Sequence, residues 1–200
     1  MVFQYDEKAM DYLKKKDKKL GIVIDRLGVL SIEINNDIFC SVVHQIIAQQ
    51  ISTSAQATIA ERLTKMVGKI TAENVASITD EALQSIGISW KKVSYIKRFA
   101  HDVIDGVIDI ESLPSLSDQE IVSKLTQLPG IGVWTAEMLL IFSMNRMDVL
   151  SYSDLGILRG MRMVYHHQFI DKTRFERYKK RYSPYGSVAS LYLWAISNGK

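Results

Sequence analysis

The chain of 200 residues contains a single cysteine, Cys40. One thiol excludes an internal disulfide framework, and it excludes a four-cysteine zinc or iron–sulfur site. Cys40 lies in the apolar stretch Phe39, Cys40, Val42, Val43 and reads as a small buried hydrophobe. Prolines number only three and no low-complexity linker is visible, which argues against disorder away from the ends. No apolar run approaches membrane-spanning length, and the stretch Gly21 to Leu30 is interrupted by Asp25 and Arg26. The N-terminus shows no signal-peptide pattern, so the expectation is a soluble cytoplasmic protein, nucleoid-associated in a bacterium, with no membrane partner. An excess of charge of either sign is also lacking. Lys and Arg number 25 against 22 Asp and Glu, and the resulting +3 permits a nucleic-acid partner without demanding one.

What the chain has is helical periodicity. Phe39, Val42, Val43, Ile46 and Ile47 form one stripe, and Val93, Ile96, Phe99, Ala100 and Val103 form another. Met138, Leu139, Ile141 and Phe142 belong to a nearly all-apolar segment, which predicts a central helix. Ser117 and Glu120 form a capping box. Thr79 starts a short helix that Gly87 ends, and Ser89 starts the next. Alternating strands are absent, and the best candidate, Gly28 to Ile34, is short. The run Lys14 to Lys19, with Asp17 inside it, reads as a solvated helix face. The expected fold class is all-α, with roughly ten helices.

The most informative segment is Leu128-Pro129-Gly130-Ile131-Gly132, placed between two predicted helices at about 118–126 and 133–144. Two glycines bracketing an aliphatic residue make a tight turn. They bring bare backbone N–H groups to a helix N-terminus, an arrangement that binds an anion. Against DNA the anion is a phosphate, and the contact is independent of base sequence. The alternative is a plain interhelical turn with Ile131 plugging the core.

The whole stretch 128–160, LPGIGVWTAEMLLIFSMNRMDVLSYSDLGILRG, resembles the signature of the helix-hairpin-helix (HhH-GPD) DNA glycosylase superfamily, and within it most resembles the 3-methyladenine DNA glycosylase II branch. Three further segments agree: His44 to Ser52, Gly87 to Lys92, and Tyr182 to Ser187 followed by Tyr192-Leu193-Trp194. The resemblance covers about residues 38–197. It implies two helical lobes with a central cleft, a middle lobe at 38–146 and a second lobe joining 1–37 to 147–200. Thirty-seven residues ahead of the first motif are too few for the extra β-domain of some members, so a compact form is expected.

The same resemblance implies roles for particular residues. Asp154 lies twenty positions after Trp134, at the start of a predicted helix, where an Asp is most often an N-cap. Its position matches the family's essential aspartate, so a catalytic role is expected for it. Loss of the base develops positive charge on the deoxyribose, which a fixed anion stabilises, and the same carboxylate can orient the attacking water. Ser153 stands where relatives often carry a second Asp. In bifunctional members a lysine fills the seventh place of the Leu-Pro-Gly string and forms a Schiff base with the sugar. Trp134 fills it here, so hydrolysis without lyase activity is expected. Trp134, Tyr182, Tyr185 and Met138 are the expected base pocket, although core packing suits Met138 better. Relatives often carry Trp at the place of Tyr182 and Arg at that of Gly186.

Gln49, Gln50, Ser52, Lys91, Lys92, Gly130, Ile131 and Gly132 are the expected DNA contacts, with Gln50 at the position of the wedge that fills the gap left by a flipped base. Family members often hold one monovalent cation, Na or K, on backbone carbonyls that correspond to Thr126, Leu128 and Ile131. No other cofactor is expected. The implied function is flipping of an alkylated base (3-methyladenine or 7-methylguanine type) from double-stranded DNA and hydrolysis of its N-glycosidic bond by a monomer. Other lesions remain open: hypoxanthine, uracil, ethenoadenine or an oxidised purine. So do a non-catalytic DNA-binding module and a helical interaction protein with no DNA role.

Overall fold

The computed structural model describes residues 1–200. In chain order its helices are α1 (Glu7–Lys16), α2 (Lys18–Leu27), α3 (Ile38–Ala48), α4 (Thr53–Val67), α5 (Ala72–Ser77), α6 (Asp80–Ser85), α7 (Trp90–Ile104), α8 (Asp118–Leu125), α9 (Val133–Phe142), α10 (Leu155–Tyr165), α11 (Lys172–Tyr182) and α12 (Gly186–Ser197), with a 3₁₀ turn at Leu113–Ser115. No strand forms. The segment Gly28 to Ile34 contributes only one isolated antiparallel bridge, Val2 to Glu33. No helix is long and apolar enough to cross a membrane.

Local sequence explains where most helices begin. Asp6, Asp17, Asp37, Ser52, Thr71, Thr79, Ser89, Ser117, Asp154 and Asp171 each accept an amide N–H of the first turn they precede. The expected capping box at Ser117 and Glu120 is present in both directions. The lysine run 14–19 is two helices rather than one face, because Asp17 ends α1 and caps α2. At α12 the cap comes from elsewhere in the chain, since the Asp148 carboxylate accepts the Gly186 N–H at 3.1 Å.

Two compact units result, one of Met1–Ile34 with Leu140–Lys200 and the other of Asn35–Leu139. The second boundary falls inside the continuous helix α9, not after it. In the Asn35–Leu139 unit the two predicted stripes are the core. Phe39, Val42, Val43, Ile46 and Ile47 of α3 are buried, as are Val93, Ile96, Phe99 and Ala100 of α7, and Phe39 stacks on Phe99 with ring centroids 5.0 Å apart. Cys40, beside this stripe, is half-buried rather than enclosed. In the other unit, α12 is buried along most of its length and packs on α10.

Candidate functional site

The hairpin of the Asn35–Leu139 unit forms where α8 ends. The Leu128 N–H donates to the Leu125 carbonyl, and the Ile131 N–H donates to the Leu128 carbonyl, both at 3.1 Å. Gly130 has φ +85°, and a Cβ there would lie 2.4 Å from the Tyr95 ring of α7. Only glycine meets both demands. Ile131 is buried, while Gly132 and Val133 are exposed. The first N–H groups of α9 therefore open from a solvent-facing turn, with the partial positive end of the helix behind them.

The other two motif turns of this unit are tied to the hairpin. The Gln49 amide donates to the Gly130 carbonyl at 2.6 Å. The Lys92 ammonium donates to the Ile47 and Gln49 carbonyls at 2.8 and 2.6 Å, closing the end of α3. Partial burial holds the Lys92 ammonium below the usual lysine pKa. The sequence motif assigns both residues to DNA. The Gln49 amide nitrogen and the Lys92 ammonium are bonded to carbonyls inside the protein, and both residues position the turns that face outward. What they leave at the tip is Gln50, exposed and held at φ +57°, a left-handed conformation uncommon for a residue with a side chain. Ser52 caps α4, accepting the Ala55 N–H at 3.2 Å, and is exposed. Lys91 is exposed, with its ammonium 5.8 Å from the Tyr95 ring centroid.

A bracing role for Lys92 has a readout that a phosphate contact would not share. On the glycosylase activity that the resemblance implies, Lys92→Met should slow base excision about 10-fold, the cost of one charge-assisted hydrogen-bond pair. The salt dependence of DNA binding should stay unchanged, whereas removing a phosphate contact lowers that slope by about 0.9. A measured fall of that size would place the lysine on DNA.

In the other unit, Asp154 is the N-cap of α10 and is only 6% exposed. One carboxylate oxygen accepts two N–H groups, from the Ile157 backbone at 2.8 Å and from the Trp194 indole at 3.0 Å. Trp194 is oriented in turn by stacking on Phe142, centroids 5.5 Å apart. Gly156 makes the approach feasible, since a Cβ there would sit 2.9 Å from the indole and 3.1 Å from the Asp154 oxygen. The residue expected to act chemically is thus also the helix cap, a rigidly held carboxylate. Sequence reasoning does not single out Trp194. The only hint is its place in the C-terminal motif, forty positions from its partner.

The expected pocket residues separate. Trp134, at the start of α9, is 40% exposed and so is not a core tryptophan. Tyr185 is half-buried and meets the Tyr12 ring edge-on at 5.2 Å. Met138 is 3% exposed and packs as core. Tyr182 is a correction: it is completely buried, its hydroxyl is bonded to that of Tyr165, and burial drives its pKa well above the usual phenol value. Tyr165 in turn donates to buried Asp17 at 2.9 Å. A phenol enclosed in this way is part of the scaffold and offers no wall to a base.

Residues 43–184 match the HhH-GPD superfamily of base excision DNA repair proteins, and the chain belongs to that family. Among solved structures it is similar to a DNA-3-methyladenine glycosidase from Bacillus halodurans, at 33% identity and a TM-score of 0.89, with 100% of this chain and 93% of that one covered. It is similar also to the Schizosaccharomyces pombe 3-methyladenine DNA glycosylase Mag1 in complex with abasic DNA, at 29% identity and a TM-score of 0.85, covering 96% and 97%. DNA-3-methyladenine glycosylase 1 of Schizosaccharomyces pombe is 38% identical over 132 residues, 64% of this chain and 57% of that protein.

Proposed function

We propose that this DNA glycosylase is monofunctional, flipping an alkylated base of the 3-methyladenine or 7-methylguanine type out of duplex DNA and hydrolysing its N-glycosidic bond. The observation that carries this reading is the Asp154 carboxylate, fixed on one oxygen by the Ile157 and Trp194 N–H groups. A preorganised anion needs no rearrangement as the deoxyribose becomes cationic, and it can hold the attacking water. A ring-alkylated base already carries a positive charge and leaves as a neutral molecule, so a second acid is not needed. The names of the similar glycosylases, and the abasic DNA bound to one of them, support this substrate class.

Trp134 occupies the place where a Schiff-base lysine would stand, and an indole cannot form that adduct. Its partly exposed ring can stack on a flipped cationic base. Gln50 is the wedge into the vacated stack, and the hairpin amides take a phosphate. The carbonyls of Thr126, Leu128 and Ile131 are hard neutral oxygens of the kind that suits Na or K. Leu128 fits even while accepting the Ile131 N–H, since a carbonyl has a second lone pair. Such an ion would add positive charge at the hairpin, which favours binding of an anion there.

A duplex carrying one 7-methylguanine tests the reaction type. After incubation its strand should remain whole and should break only on hot alkali, and borohydride should trap no protein–DNA adduct. Strand scission without alkali, or a trapped adduct, would contradict hydrolysis alone.

A further inference from the structure

The mild net charge of the chain conceals a strong partition. The Asn35–Leu139 unit, which carries the hairpin and Gln50, holds 8 Lys and Arg against 12 Asp and Glu, a net of −4. Two of its lysines, Lys92 and Lys97, are further committed to backbone carbonyls. The other unit holds 17 Lys and Arg against 10 Asp and Glu, a net of +7. A unit of negative net charge does not by itself draw a polyanion from a distance. If the enzyme gathers duplex DNA electrostatically, the charge that does so lies in the unit without the hairpin.

That charge is concentrated. Lys15, Lys16, Lys18 and Lys19 at the α1–α2 junction are exposed, as are Lys172, Arg177, Lys180 and Arg181 of α11. The two segments are joined by the Arg181 guanidinium, which donates to the Asp17 carboxylate at 2.6 Å. The Asp17 side chain is 2% exposed, so its negative charge lies beneath the surface while the cations lie on it. Asp11 and Asp25 are paired with Lys14, and Asp171 caps α11, which leaves Glu176 as the open carboxylate of that helix. Between the segments is a cavity of about 280 Å³, lined by the cations of Lys16, Lys18, Lys19 and Arg181, by Tyr178 and His167, and by the Asp17 carboxylate that Arg181 neutralises. The His167 imidazole is held below its usual pKa by desolvation and by the positive charges of Arg174, Lys19 and His166.

We infer that this face of α1, α2 and α11 is a second contact surface for the phosphate backbone of duplex DNA, additional to the hairpin. The inference rests on the glycosylase reading for its choice of DNA as the polyanion. Flexible cations ringing a polar cavity suit phosphate oxygens, and such contacts carry no base sequence. A protein partner would ordinarily find an apolar centre in its interface, and here the lining is phenol, imidazole, ammonium and guanidinium with one paired carboxylate.

The test compares wild type with the fourfold variant Lys18→Gln, Lys19→Gln, Arg177→Gln and Lys180→Gln, all at exposed positions, after circular dichroism shows equal helix content. Binding of an undamaged 30-base-pair duplex is measured across a range of salt concentrations. The slope of log affinity against log salt should fall by about 2 to 3 in the variant, at about 0.9 for each phosphate no longer neutralised. Affinity at low salt should fall at least tenfold, while the single-turnover excision rate at saturating enzyme stays at the wild-type value. A wild-type slope in the variant overturns the inference. So does an unchanged duplex slope accompanied by abolished binding of poly-glutamate, which would assign the face to an acidic protein. Failure of wild type to excise any base would instead overturn the glycosylase reading, so the two failures are distinguishable.

Discussion

Asp154→Asn should slow release of an alkylated base by about 10²- to 10³-fold or more, the range seen when one preorganised electrostatic element is removed. The substitution isolates charge from structure. Asn is as good an N-cap as Asp, and its amide oxygen can still accept the Ile157 and Trp194 N–H groups that orient residue 154. The fold, the start of α10 and the Phe142–Trp194 stack should therefore persist. Only the negative charge is removed, the property that the proposed mechanism sets against the developing sugar cation. Affinity for lesion DNA should be unchanged or higher, because a carboxylate near phosphates opposes binding. Single-turnover kinetics with an equilibrium binding assay check both halves. A rate within threefold of wild type would remove Asp154 from the chemistry.

The second large effect concerns stability. Asp17→Ala should destabilise the protein by about 3 kcal/mol, at the low end of the range for breaking a buried pair because Arg181 keeps access to water. Asp17 holds four partners at once: the Lys19 and Leu20 N–H groups of α2, the Tyr165 hydroxyl and the Arg181 guanidinium. Its removal uncaps a helix and deprives the buried Tyr165 hydroxyl of its carboxylate acceptor. For a chain of this length the effect corresponds to a melting temperature lower by about 6–12 °C. Thermal unfolding followed by near-ultraviolet circular dichroism reads this directly, and a shift under 2 °C would show that the cluster contributes little. The same network explains why Tyr182 faces inward, since its hydroxyl is bonded to that of Tyr165 in the interior.

The readable parts of the fold share one property, short range. Ser117 with Glu120, Thr79, Ser89 and Asp154 cap helices through partners three residues away, so the sequence displays both ends of each bond. The stripes on α3 and α7 are legible because helical periodicity is itself local. The hairpin is legible because two glycines bracketing one aliphatic residue mark a tight turn in the local sequence, and Gly130 does take φ +85°. Illegible features depend on tertiary contact. Gln49 reaches Gly130 across 81 positions, Lys92 reaches the end of α3 across more than 40, and Trp194 reaches Asp154 across 40. Each of these polar side chains looks free for DNA or for the core until its partner is placed. The assignment of Asp17 to the interior is of the same kind. Within the run 14–19 it resembles one more solvated charge, and only Tyr165 and Arg181, far along the chain, reveal otherwise.

Hydrolytic removal of alkylated bases leaves a product that can be measured. Its most direct test is chromatography of the bases freed from N-methylated duplex DNA by the wild-type enzyme. Free 3-methyladenine or 7-methylguanine should appear, with one abasic site formed per base released. Methylated DNA that is bound but yields neither base would contradict it.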